Sequence, residues 1–481
     1  MRSAMRNVFF RREQALAYML QQVNYDPRKF IAWVVRNYRN RQSIYHVMHR
    51  QKLVMTRKVM LVVGLGVILR MVITLLILFV FFPQDPNIVG FILLLTLTIW
   101  AQPFIAVILF LCMSIPAYIF VVNQRFLPQV KHSEQIFKTH PAVKVAVAGS
   151  YGKTTFKELL TTVLSQKYVV ATTPGNMNTP VAHARFAQKL NGKEDVLIIE
   201  YGEEHPGDVI NFWQTTHPDY AVITGLAPNH LEYYRSLDRL AADLLSLRSA
   251  VAPEKLYITG ESGKLQPFLS EKDNLFTQSK VGDWKIEGVK LSINGTKFKM
   301  SKAKELIHVC SRLLGQHHVA PLAMAAALGV QLGLSTQQVE AGIKETKPFE
   351  HRMQALSIGG ANVIDDTYNG NIEGVLAGLE LLDSLPGKRK IYVTPGLVDQ
   401  GKEKDSVHHQ IAKKIANIRP DILVLMKNSS THIIQLALEK LDYKGKIMIE
   451  NDPLNFYTHL DQFVAKDDLI IMQNDWTDNY S

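Results

Sequence analysis

The segment Val145-Ala146-Val147-Ala148-Gly149-Ser150-Tyr151-Gly152-Lys153-Thr154-Thr155 constrains the fold more than any other part of the chain. A buried strand runs into a glycine-rich turn, and a helix is expected to begin near Phe156. That order opens a parallel α/β unit, because a crossover must return over the sheet before a parallel partner can pair. The turn itself is a phosphate cradle. Gly149 and Gly152 let backbone N–H groups close around phosphate oxygens, so Gly149, Ser150, Tyr151, Gly152, Lys153, Thr154 and Thr155 are the expected nucleotide contacts. Lys153 supplies a cation, and a hydroxyl from Thr154 or Thr155 suits Mg²⁺. Val147 stands where the general P-loop pattern has its first glycine, so the form here is the shorter G-x-x-G-K-T-T.

The pattern around this segment repeats the same logic. Val143 to Ala148, Val196 to Ile199 and Tyr220 to Thr224 read as buried strands, each followed by a polar or glycine-containing loop where ligand chemistry is expected. Residues 255 to 300 carry shorter segments with turn signals at Asp283 and Asn294-Gly295, a β-rich excursion within the domain. An alanine-rich helix is expected from His317 to Leu332. Near Pro348 a further unit begins, with strands at Ala361 to Ile364, Lys390 to Thr394, Asp421 to Met426 and Leu469 to Met472. Its spacing implies a smaller, Rossmann-like doubly wound domain. With 481 residues the chain exceeds what one core usually supports.

The first quarter of the chain is different. Val59 to Phe82 is apolar except for Arg70 and Thr74, and about 20 such residues suffice to cross a bilayer as a helix. The turn signal Pro83-Gln84-Asp85-Pro86-Asn87 follows, then a second apolar run from Ile88 to Val122 that Pro103 is expected to kink or split. Two passes are preferred and three remain open. The net charge of +11 has much of its excess before residue 59, where Arg2, Arg6, Arg11, Arg12, Arg28, Lys29, Arg36, Arg39, Arg41, Arg50, Lys52, Arg57 and Lys58 face only Glu13 and Asp26. Beside an apolar run such an arm points to membrane lipids or to topology by the positive-inside rule rather than to nucleic acid. The expected layout is a basic cytoplasmic arm (1–57), a transmembrane region (58–123), a polar linker (124–142), a P-loop-type parallel-sheet ATP-binding domain (143–347) and the C-terminal domain (348–481). The expected location is the cell membrane, multi-pass, with the domains after residue 142 in the cytoplasm. Cys112 and Cys310 are the only cysteines, which excludes a disulfide framework and a four-cysteine zinc site.

Further motifs extend the phosphate cradle. They are Thr173-Pro174-Gly175-Asn176-Met177-Asn178-Thr179-Pro180, Glu200-Tyr201-Gly202 with His205-Pro206-Gly207-Asp208, and Asn229-His230-Leu231-Glu232. Later come Gly315-Gln316-His317-His318, His351-Arg352-Met353, Ile364-Asp365-Asp366-Thr367-Tyr368-Asn369-Gly370-Asn371 and Pro395-Gly396-Leu397-Val398-Asp399-Gln400-Gly401. Together they resemble the Mur ligases, most nearly the branch that joins D-alanyl-D-alanine to a UDP-N-acetylmuramoyl tripeptide in peptidoglycan synthesis. The resemblance covers almost all of the chain after Lys144.

It implies an ATP- and Mg²⁺-dependent amide-forming ligase acting through an acyl phosphate, with a peptidoglycan precursor and D-Ala-D-Ala as substrates. Lys153, Glu200 and His230 are then catalytic, with Thr154, Glu200 and His230 on the metal. A carboxylate at a strand end suits Mg²⁺ by its own chemistry as well. His318, Arg352, Asp365, Asp366 and Tyr368 would hold the nucleoside, where an acidic group can bind ribose hydroxyls and an aromatic can stack. Asn176, Asn178, Thr179, Asn369 and Asn371 would meet the substrates.

Departures from the family pattern also matter. Leu244 aligns with a lysine that becomes carbamylated in the family, and Asp243 beside it is the expected substitute carboxylate. His318 stands where the family has an adenine-contacting asparagine. The N-terminus replaces the usual UDP-binding domain, which leaves open a lipid-linked muropeptide or poly-γ-glutamate substrate, a membrane protein partner, and a nucleotide-binding scaffold without catalysis.

Overall fold

The computed structural model describes residues 16–20, 27–37, 57–80, 88–119, 127–175, 177–228, 230–348, 350–367, 370–397, 400 and 403–474. They fall into two compact units, Met1–Pro128 and Gln129–Ser481.

In the first unit, helices Arg57–Val80 and Ile88–Ile119 pack on one another and Pro27–Asn37 packs on the second. Pro103 does not split the longer helix, which runs unbroken through it. Among the described residues the run therefore forms one helix rather than two. The multi-pass membrane location is also corrected. Among the described residues one helical stretch, Val63–Val80, is long and apolar enough to cross a bilayer. Part of the apolar content that suggested further crossings serves protein packing instead: Val63, Ala106 and Phe110 close on Leu16, Leu20, Phe30 and Trp33 in a small core. Arg70 is buried within its helix. Most of the basic arm and the turn at residues 83–87 lie outside the described residues.

The second unit holds two sheets. The larger is built from β1 (Val143–Ala148), β2 (Val170–Thr172), β3 (Val196–Glu200), β4 (Tyr220–Ile223), β5 (Leu256–Thr259), β6 (Asn274–Phe276), β7 (Lys280–Val281), β8 (Trp284–Ser292), β9 (Gly295–Lys302) and β10 (Glu305–Ser311). Their order is β10-β9-β8-β7-β6-β5-β4-β1-β3-β2. From β2 to β6 neighbours run parallel, and from β6 to β10 they run antiparallel. The β-rich excursion is thus one continuous extension of the parallel sheet. Its alternating burial in β8 to β10 shows a sheet covered on one face, whereas β1, β3 and β4 are buried almost throughout. Helices Lys153–Leu164 and Val319–Gln331 cover one face, meeting through Phe156, Leu160, Val163, Leu322 and Ala326. The opposite face closes through Phe186, Val209, Phe212, Leu240 and Leu244. The segment read as a polar linker is mostly a helix, Leu127–Thr139, because Phe137 enters that second core.

The smaller sheet follows the order β11-β12-β16-β13-β14-β15, with β11 (Gln354–Ile358), β12 (Ala361–Asp366), β13 (Lys390–Thr394), β14 (Ile422–Met426), β15 (Lys446–Glu450) and β16 (Leu469–Gln473). Only β11 pairs antiparallel. Helices on both faces bury it, as in a doubly wound domain.

Candidate active site

At the C-terminal end of β1 the chain turns through Gly149 (φ 132°) and Gly152 (φ 75°), conformations that a Cβ would strain. A Cβ on Gly149 would also lie 2.5 Å from Thr224 Oγ1, so the turn sits directly on the loop after β4. Gly152 caps the helix Lys153–Leu164, which starts earlier than the expected Phe156. No side chain caps that helix, and its first turn carries no acidic residue. Its free N–H groups and positive dipole end suit an anion.

Beside it, register places Glu200 of β3 opposite Val147 of β1. Thr154 Oγ1 donates to Glu200 Oε1 at 3.1 Å, and Asn178 Nδ2 donates to the same oxygen at 3.3 Å. Lys157 Nζ lies 3.4 Å from Glu200 Oε2. Glu200 is 1% exposed, and its Oε2 accepts no hydrogen bond of good geometry. Lys153 Nζ donates to Gly149 O and to both oxygens of Glu203, at 3.0 and 2.9 Å. Burial pushes the Glu203 carboxyl up to about 7 against the opposing pull of Lys153. Behind Glu200, the His183 Nε2–H donates to the Glu200 carbonyl at 2.8 Å, and burial lowers this histidine to about 4, keeping it neutral. Tyr151 packs over Gly225, where a Cβ would meet its ring carbon at 2.2 Å. Burial raises the Tyr151 phenol against the opposing pull of a Ser262 hydrogen bond, and the Glu373 carboxylate of the C-terminal domain adds to the rise.

The sequence-derived site residues fare unequally. Lys153, Thr154, Glu200 and Asn178 come together with the turn Gly149–Gly152. The oxygens of Thr154 and Glu200 fit a hard cation such as Mg²⁺, which completes its shell with water and phosphate oxygens. His230 is exposed on the loop after β4, in a left-handed conformation at the start of the helix Leu231–Tyr234. Among the described residues no group of three or more His, Cys, Asp or Glu side chains is placed to hold a metal, so His230 is not gathered with Glu200 and Glu203.

Asp243 Oδ2 accepts from Gly207 N at 3.1 Å, Val209 N at 3.4 Å and Tyr234 Oη at 2.6 Å, so it fastens the loop after β3 to the helix Leu237–Leu245, while its buried Oδ1 accepts no hydrogen bond. Leu244 is a core residue. Thr179 and Asn371 are helix caps, accepting from Ala182 N and Gly374 N.

In the C-terminal domain, Asp365 accepts from His351 Nδ1 at 2.7 Å and from Thr367 N and Oγ1. Asp366 accepts from Met353 N at 3.1 Å and Gln473 Nε2 at 2.7 Å, and its burial raises it to about 6. Both carboxylates build the strand-end turn, and each keeps acceptor capacity beyond these bonds. Arg352 lies close enough to Asp366 to favour its charged form. His318 Nδ1 donates to Leu314 O at 2.7 Å, which leaves Nε2 for any ligand, and burial lowers it to about 4. Asn176, Asn229, Tyr368 and Asn369 lie outside the described residues.

Lys157, Glu203, His183 and Thr173, whose Oγ1 accepts from Glu200 N, were not anticipated. Spacing carried a signal for two of them. Lys157 follows Lys153 by one helical turn, and Glu203 follows the strand-end Glu200.

Comparison with known proteins decides the family. The Mur ligase middle domain matches residues 147–329, and the Mur ligase glutamate ligase domain matches residues 351–473, together more than half of the chain. The chain belongs to the Mur ligase family. Membership carries the class of activity, ATP-dependent peptide ligation. Among sequence relatives, the UDP-N-acetylmuramoyl-tripeptide–D-alanyl-D-alanine ligase of Escherichia coli is 27% identical over 314 residues, covering 62% of this chain and 67% of the relative. The enzyme of the same name from Bacillus subtilis is 23% identical over 332 residues, covering 68% and 72%. Among solved structures, MurF from Acinetobacter baumannii aligns with a TM-score of 0.62 at 19% identity, over 73% of this chain and 77% of that one. MurF from Thermotoga maritima, solved in complex with ADP, aligns with a TM-score of 0.61 at 20% identity, over 73% and 80%. These two likenesses show the fold.

Proposed function

We propose that this Mur ligase adds D-alanyl-D-alanine to a UDP-N-acetylmuramoyl tripeptide, with ATP and Mg²⁺, in the supply of peptidoglycan precursor. The observation that carries the reading is the meeting of Lys153, Thr154 and Glu200 at the C-terminal ends of β1 and β3, beside an uncapped helix N-terminus. The γ-phosphoryl group of ATP passes to the substrate carboxylate, giving an acyl phosphate and ADP. The incoming amine attacks the acyl carbon, and phosphate leaves as the amide forms.

Each residue has a distinct task in this reading. The N–H groups at the start of the helix Lys153–Leu164 and of the turn before it hold phosphate oxygens, apart from Ser150 N, which donates to Gly225 O, and Lys153 exchanges Glu203 for phosphate as nucleotide enters. Thr154 and Glu200 would hold Mg²⁺, which when bound would neutralise charge on the transferring group. His318, Arg352 and the turn at Asp365-Asp366-Thr367 border the nucleoside. Asn178 meets the peptide substrates, while Thr179 and Asn371 shape their loops, and the roles of Tyr368, Asn176 and Asn369 rest on the sequence motif alone. The domain bounds that accompany the reading are 143–347 for the ATP-binding domain and 348–481 for the C-terminal domain, one for each sheet.

The test is product formation by the purified full chain with ATP, Mg²⁺, UDP-N-acetylmuramoyl tripeptide and D-Ala-D-Ala. Phosphate release that requires both peptide substrates and yields the extended UDP-pentapeptide supports the reading. ATP turnover with neither dependence overturns it.

A further inference from the structure

We propose that Lys157 is a positioning residue for Glu200: its buried ammonium holds one carboxylate oxygen and the loop at Thr173–Gly175, so that the other oxygen is presented with Thr154 to the metal–nucleotide complex. The inference rests on Glu200 being a Mg²⁺ ligand.

Lys157 sits one turn along the helix Lys153–Leu164 from Lys153, yet it points away from solvent and is 0% exposed. Its Nζ donates to Thr173 O at 2.7 Å and to Gly175 O, and it lies 3.4 Å from Glu200 Oε2. Glu158 Oε1, on the solvent side, is 3.3 Å away. Three segments thus converge on one ammonium group: the phosphate-binding helix, the loop after β2 and the end of β3.

Packing alone does not explain a lysine here. An apolar side chain of similar length would fill the same space without the cost of desolvating a charge. The cation is matched to its surroundings, two carbonyls that need donors and a buried carboxylate that needs a counter-charge. It also breaks the symmetry of Glu200. Oε2 faces Lys157, whereas Oε1 takes both hydrogen bonds from the opposite side, from Thr154 and Asn178. A carboxylate held in this way offers one oxygen, in a set orientation, to a cation beside Thr154. The same ammonium ties down the loop that leads to Asn178, so the two partners of Oε1 and Oε2 are mechanically linked.

Partners that orient a metal ligand typically contribute on the order of 10–100-fold to metal affinity. Lys157→Met and Lys157→Gln are therefore expected to raise the Mg²⁺ concentration for half-maximal ADP binding by roughly that factor, read by calorimetric titration of the purified full chain with ADP at a series of Mg²⁺ concentrations. ADP binding without Mg²⁺ should change far less. Loss of any Mg²⁺ dependence in the unsubstituted protein would defeat the proposed function itself; normal dependence there with unchanged dependence in both variants would overturn only the role of Lys157. Thermal melting of Lys157→Met, Glu200→Gln and the double variant gives a second reading that needs no ligand. If Lys157 serves Glu200, Lys157→Met costs less when Glu200→Gln is already present. An equal cost in both backgrounds assigns Lys157 to the loop alone and overturns the proposal.

Discussion

Lys153 and Asp243 show how differently two charged residues near one site behave. Lys153 lies under the phosphate turn with Glu203 as its counter-ion, a pairing that an entering phosphate can replace. Lys153→Met should lower ligase turnover on the order of 100-fold or more, since it removes a donor aimed at developing charge; phosphate release at saturating substrates is the measure. The hydrogen bonds of Asp243 Oδ2 join two elements of the fold. Asp243→Ala strands the N–H groups of Gly207 and Val209, while the Tyr234 hydroxyl keeps His205 O, an expected loss of about 1–3 kcal/mol in unfolding free energy by urea titration. A full loss of turnover in a variant that melts normally would return Asp243 to the chemistry. Adjacency to Leu244 suggested a metal ligand, but neighbours on a helix point to different faces, and the face of Asp243 looks toward Gly207.

At the scale of elements, the phosphate turn was legible because it is local. Two glycines with positive φ, the strand before them and the helix after them occupy consecutive residues. Strand ends were legible to within a residue or two for the same reason, since β13 begins and ends where the apolar run does. What local pattern does not carry is the support of the turn by another loop. Gly225, after β4, has no special φ yet lies under the Tyr151 ring. Gly225→Ala should displace that ring and weaken ADP binding, with an overpacking cost of about 1–3 kcal/mol; calorimetric titration and a thermal melt would measure both. An unchanged ADP affinity would mean that the ring is not part of the cradle. Helix capping is the second such case. Asparagine and threonine in a motif are read as ligand contacts, whereas Thr179 and Asn371 are held by the first turn of the helices that they begin.

Across the whole molecule, buried ionisable groups couple stability to pH. The rings of His317 and His318 lie 4.0 Å apart and tilted in the second unit, and burial lowers both, His318 to about 4. In the unfolded chain each takes up a proton near 6.5, so folding excludes protons below about 6.5, for His318 down to about 4. Their contribution is complete above 6.5 and is lost as pH falls through that window. Asp366 acts in the opposite sense, because its folded value of about 6 lies above the unfolded 3.8; the stability that it favours at low pH is lost as pH rises toward 6. On acidification from pH 6.5 to 4 the buried histidines, His183 among them, pull the urea midpoint down, while Glu203 and Asp366 oppose them. His318→Asn should flatten that slope, and an equally steep slope in the variant would remove His318 from the account.

By itself the sequence determined the two α/β domains, the phosphate turn and the identity of Lys153, Thr154 and Glu200, because each rests on residues close together in the chain or on a strand-end position. Only the tertiary structure decided that Lys157 and Glu203 flank them, that Asp243, Asp365 and Asp366 each accept from backbone N–H groups of the loops around them, and that part of the early apolar run packs against protein. Those outcomes depend on which distant groups meet. Burial makes such meetings decisive, since a charge removed from water must find its partner across the fold, and residue order does not record which partner that is.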